Sequence, residues 1–144
     1  MKILGINHIG LAAKDPVKAR WFLGEVLALP FAGEELVAEQ KTNTVMYMAR
    51  QLDDGACESR LEILENQAGE EGPIQKFISN RGGGIHHLAL AVDNVEEAIA
   101  HMKRHGVELI DETPRSGAHQ TRIAFIHPRS TGGILVELVQ ETVQ

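Results

Sequence analysis

The sequence predicts an α+β fold made of two copies of one module, strand-helix-strand-strand-strand, joined by a short connector. Three observations predict it. His8–Ala19 (HIGLAAKDPVKA) lies over His87–Ala98 (HLALAVDNVEEA) without a gap, setting His8 on His87, Leu11 on Leu90, Ala12 on Ala91 and Ala19 on Ala98. Self-similarity of this kind marks a duplicated structural unit. In each copy an alternating apolar run leads through a turn into an amphipathic helical pattern, and three further strand patterns follow. The last of these in each copy places a carboxylate between apolar residues, Leu61-Glu62-Ile63 and Val136-Glu137-Leu138.

In the first copy the strand at HIGLAA gives way to a helix over VKARWFLGEVL, with Asp15 as N-cap and Pro16 at the first helical position. Strands are expected around EELVAE, TNTVMYMA and RLEILE. The connector holds a short helix over Pro73 to Asn80 and the glycine run Gly82 to Gly84. In the second copy HLALAV leads to the helix VEEAIAHMKRH, capped by Asp93 or Asn94 and terminated at Gly106. Strands are expected around VELIDE, RIAFIH and GILVEL. The boundaries are then 1–72 for the first module, 73–84 for the connector and 85–144 for the second, within one compact domain.

Composition narrows the function classes. The 144 residues are 43% hydrophobic and 24% charged, which suits a globular domain with a sizeable core. With 14 basic against 20 acidic residues the net charge is -6, unfavourable for nucleic acid or an anionic membrane as a partner. Aromatic residues are only 4%, too few for a base-stacking platform. Cys57 is the single cysteine, so no intramolecular disulfide forms. Asn7 and His8 interrupt the N-terminal apolar run too early for a secretory core. A cytoplasmic protein is expected.

Strand side chains alternate between faces. His8 therefore shares a face with Gly10 and Ala12, and His87 with Ala89 and Ala91, so each repeat-matched histidine stands among very small residues, as on a cavity floor. His86 points the other way and is expected to be a packed or hydrogen-bonded histidine. If the halves pair about a pseudo-twofold axis, His8, Glu62, His87 and Glu137 converge. Two imidazoles and two carboxylates away from water form a costly cluster without a cation. A nitrogen and oxygen donor set without thiolate suits Co, Zn, Mn, Ni or Fe.

The segments INHIGLAA, GPIQKFISNRGGGIHHLALAVDNVEEAI, GVELIDETPRSGAH and IAFIHPRSTGGILVEL, which run through most of the chain, resemble the vicinal oxygen chelate superfamily and, within it, the methylmalonyl-CoA epimerases. The resemblance implies paired βαβββ modules forming a curved mixed sheet around a metal site, with helices outside. Carried over by motif, it implies His8, Glu62, His87 and Glu137 as ligands of one divalent ion, and Glu137 also as a catalytic proton carrier. It implies an acyl-CoA thioester substrate, epimerised by removal and return of the α-proton, and a homodimer. His119 in SGAH, with Arg115, Arg129 and Lys41, is a candidate for substrate binding; Arg81 and Arg122 are further candidates for the phosphates of coenzyme A. The chain departs from the family at Gln120, where glycine usually follows GAH, in a longer ARQLDDGACES loop, and at Thr44 and Val45, where some members carry a second catalytic carboxylate.

Two other readings stay open. A glyoxalase I-like isomerase uses the same four ligands on a glutathione hemithioacetal, and HPRSTGG favours the epimerase over it. A metal-free binding protein on the same fold has no need of both histidines and both glutamates.

Overall fold

The computed structural model describes residues 1–50, 59–69 and 71–142, so Cys57 and most of the ARQLDDGACES loop lie outside the described residues. The fold is α+β, with the elements of two βαβββ modules in sequence. The first comprises β1 (Ile3–Ala12), α1 (Pro16–Trp21), β2 (Phe31–Val37), β3 (Thr42–Met48) and β4 (Arg60–Asn66). The connecting helix is α2 (Pro73–Arg81). The second module comprises β5 (Gly84–Val92), α3 (Val95–Arg104), β6 (Arg115–Ser116), β7 (Arg122–Ile126) and β8 (Val136–Gln140). By contacts the chain forms two compact units, His8–His86 and Met1–Asn7 with His87–Gln144, so the division passes through β1 just before His8 and through β5 just before His87.

In the unit His8–His86 the strand order is β2-β3-β4-β1, mixed because β1 runs parallel to β4 while the other pairs are antiparallel. Asp15 caps α1 as its sequence context predicts, its carboxylate accepting the N–H of Lys18 at 3.0 Å. The predicted helix continues beyond Trp21 as a π-helical turn, Phe22–Val26, closed by Leu27 N–H donating to Phe22 O. Leu23 from this turn is buried with Val45, Tyr47 and Ile63, and Leu11 packs against them. Arg20 reaches over the same face, donating to Glu65 at 2.7 Å and Glu34 at 3.0 Å. Asn43 donates to Glu34 at 2.7 Å. The Asn43 hydrogen bond, followed by that of Arg20, holds the Glu34 carboxyl below the usual carboxylate range. These contacts fix which residues of β2 face the helix: Glu34 does, so Glu35 faces the other way.

In the other unit the order is β5-β8-β7-β6, again with one parallel pair, β5 with β8. Asn94 is the N-cap of α3, accepting from Glu97 N–H at 2.9 Å, while Asp93 accepts the backbone N–H of Lys2 at 2.7 Å. The helix ends in a Schellman motif: Gly106, at φ 71, donates to Lys103 O and Val107 to Met102 O. Val95, Ala98 and Ile99 from α3 are buried with Ala124, Ile126 and Leu138.

One expected strand is absent. Val107–Glu112 (VELIDE) forms a single bridge with β7, Leu109–Ile126, beside an Ile110 N–H that donates to Phe125 O at 2.9 Å, and the edge strand is the two-residue β6. The Asp111 carboxylate explains the change, because it accepts the N–H of Phe125 at 2.8 Å and so takes the donor that a continued ladder would need.

The glycine run before β5 has a backbone reason. Gly82, Gly83 and Gly84 adopt φ of 76°, 95° and 123°, and a Cβ on Gly83 would lie 2.8 Å from the carbonyl oxygen of Ala12. Gly82 has open space around it. Gly82→Ala is expected to cost about 1 kcal/mol of unfolding free energy from left-handed backbone strain alone. Gly83→Ala is expected to cost more, about 2 to 3 kcal/mol, because the Ala12 carbonyl must also shift; urea unfolding of the two variants measures the difference.

Candidate functional site

The parallel strand pair in each unit builds the same constellation. In the first unit Gly10 is the register partner of Glu62, and His8 stands two residues before Gly10 on the same face. A glycine at position 10 leaves no side chain between them, and His8 Nε2 lies 3.2 Å from Glu62 Oε2. In the other unit Ala89 is the partner of Glu137, His87 stands two residues before it, and His87 Nε2 lies 3.1 Å from Glu137 Oε2. The side chains of the pairs are only 6–8% exposed. The repeat in the sequence is therefore a repeat of register: histidine, then a small residue, with the carboxylate beside the small residue.

Burying an imidazole against a carboxylate removes both from water, and their mutual hydrogen bond recovers part of that cost. Each pair also presents a ring nitrogen and a carboxylate oxygen side by side, a donor set suited to a divalent cation of intermediate softness.

Around His87 the face is lined by Ala89, Ile123, Phe125 and Val139, which cluster with one another. The Phe125 ring meets the His87 ring edge-on with centroids 5.6 Å apart. The Arg115 guanidinium lies 5.5 Å from the Phe125 ring centroid, and its Nε lies 3.1 Å from Asp111. The structure thus places Arg115 one ring away from His87, held by an acid and an aromatic face.

The other substrate candidates lie elsewhere. Lys41 is exposed at φ 51, in the turn between β2 and β3. Arg129 is also exposed and 3.6 Å from Glu108. Arg122 pairs with Glu96 at the first turn of α3. Arg81 lies 5.5 Å from the Phe77 ring. His119 is exposed, with φ 56, in a short turn where Gln120 has φ 58. That positive φ gives a physical reason for glycine at the position after GAH in the family, since a side chain there adds strain. His86 packs as the alternation predicts, edge-on to Phe77 with centroids 4.9 Å apart.

Sequence reasoning missed two ionisable residues on the His8 face. Arg60 is the register partner of His8 and stands two residues before Glu62. Glu35 is the partner of Thr44, which in turn pairs with Leu64, two residues beyond Glu62. Counting by twos from Glu62 would have found Arg60. Glu35 required the cross-strand register, which crosses a bulge between Phe31 and Gly33.

Residues 7–125 match the model of the Glyoxalase/Bleomycin resistance protein/Dioxygenase superfamily. The chain is 36% identical over 135 residues to the uncharacterized protein YqjC of Bacillus subtilis, covering 94% of this chain and 91% of that protein. It is 39% identical over 137 residues to the mitochondrial methylmalonyl-CoA epimerase of Dictyostelium discoideum, covering 94% and 78%. It superposes with a TM-score of 0.85 on a Bacillus halodurans hypothetical protein at 36% identity, covering 96% and 95%. From the modular fold, the repeated histidine–carboxylate pairs and these similarities, the chain belongs to the glyoxalase/bleomycin resistance protein/dioxygenase superfamily, also called the vicinal oxygen chelate superfamily.

Proposed function

We propose that this protein is an epimerase that interconverts the (2R) and (2S) forms of methylmalonyl-CoA with one divalent metal ion, held by His8, Glu62, His87 and Glu137. The repeated buried pairing of a histidine with a carboxylate carries this reading, and the similarity to methylmalonyl-CoA epimerase from Dictyostelium supplies the substrate. The donor chemistry fits the ion: two imidazoles and two carboxylates, no thiolate, and small residues beside them. When bound, the ion would supply Lewis acidity toward the negative charge that develops on the thioester oxygen.

The α-carbon sits between a carboxylate and a thioester, so its proton is acidic enough for a positioned carboxylate to remove. Glu137 is assigned as one proton carrier, a buried carboxylate paired with His87. Arg115, against the Phe125 ring that meets His87 edge-on, is assigned to an anionic group of the substrate. Arg129, Lys41 and His119, all exposed, are assigned to the outer, phosphate-bearing part of coenzyme A.

Incubation with one epimer in D₂O, with and without Co²⁺, tests the reading: metal-dependent exchange of the α-proton together with inversion is expected, and no exchange by metal-loaded protein overturns it. Glu137→Gln is expected to slow epimerisation by about 10² to 10⁴-fold; full activity with metal retained would remove Glu137 from the proton path. A second expectation concerns stability. Glu62→Leu alone should destabilise the metal-free protein by about 1 to 3 kcal/mol, because it removes the carboxylate partner of the buried His8 ring. The double change His8→Leu with Glu62→Leu should be neutral or stabilising, as read by thermal melts in chelator, while Co²⁺ binding by calorimetry is lost in both.

A further inference from the structure

Two histidines that the epimerase reading does not use stand at the end of α3: His101 in its last turn and His105 at its C-cap. Side chains four residues apart on a helix lie one above the other on the same face. The backbone keeps that spacing through the cap, because His105 N–H donates to His101 O at 3.3 Å. The two rings meet with centroids 4.4 Å apart and planes tilted by 40°. His105 is exposed and His101 partly buried, so the pair is open to solvent. We propose that His101 and His105 form a second metal site, a two-imidazole chelate for a divalent transition cation such as Ni²⁺, Cu²⁺ or Zn²⁺, with water completing its coordination. The inference does not depend on the epimerase reading.

The turn prepares both rings for a metal. His105 Nδ1 lies 2.9 Å from the carbonyl oxygen of His101. A carbonyl only accepts, so Nδ1 carries the proton and the neutral ring presents its lone pair at Nε2. Metal-binding imidazoles are commonly oriented by such a hydrogen bond from their other nitrogen. Desolvation, followed by the positive charges of His105, Arg104 and the chain's amino group, lowers the His101 pKa below the usual histidine range. His101 is therefore neutral at pH 7, the form that ligates.

The surroundings also bear on charge. Lys103 and Arg104 lie in the same turn and oppose a cation. The helix ends here, and the partial negative charge of its last carbonyls favours one. Glu97, one turn before His101, has its carboxylate 3.2 Å from the chain's amino group, so the site is built on two protein donors. Histidines at this spacing on one helix face are a known zinc-binding arrangement. With imidazole donors and no carboxylate, Cu²⁺ and Ni²⁺ bind more tightly than Mn²⁺.

Ni²⁺ titrated into the ¹⁵N-labelled full chain tests the site by NMR, because the paramagnetic ion broadens the signals of nuclei near it. That readout separates this turn from the His8 and His87 pairs. Broadening at residues 101–106 of the wild type is expected, together with slower amide exchange at residues 105–107 when Zn²⁺ is added. Two donors on one turn raise affinity about 10² to 10⁴-fold over one. His101→Gln and His105→Gln are therefore each expected to need about 100-fold more Ni²⁺ for the same broadening, with the helix retained by circular dichroism. Wild-type broadening confined to the surroundings of His8 and His87 overturns the proposal. So does broadening of this turn at the wild-type Ni²⁺ concentration in either variant.

Discussion

The parallel pairing of the first and last strand of each module is the constraint on which the rest depends. A parallel ladder puts register partners on the same face, so Gly10 beside Glu62 and Ala89 beside Glu137 leave room for the histidine two residues earlier to meet the carboxylate. A larger residue at either small position would fill that room. The helices follow from the same arrangement, because parallel strands need a crossover, and α1 and α3 bury the opposite face.

What packs around the pairs is uneven, and the unevenness has chemical content. In the second module the neighbours of His87 and Glu137 are apolar or aromatic, and Arg115 closes the group. In the first, the corresponding positions are Met46, Thr44 and Glu35.

Local chemistry decides where the modules depart from one another. Asp111 takes the Phe125 N–H and reduces the second edge strand to two residues. In the first module β2 runs for seven residues. The shorter β6 still holds Arg115 in register with Ile123, so the loss of ladder length does not move the side chain that faces Phe125.

The sequence by itself determined the two modules, their order of elements, the caps at Asp15 and Gly106, and the histidine–carboxylate sets, because repeats, alternation and capping are local and periodic signals. Resemblance to a known family named the same four residues. Tertiary structure alone decided what depends on pairing between distant segments. It placed Glu62 opposite Gly10, replaced VELIDE by β6, and turned the candidate cations Arg122 and Arg129 toward acids of their own module. It also brought Glu35 onto the His8 face, since a strand's register is set by its neighbours and one bulge shifts every residue beyond it.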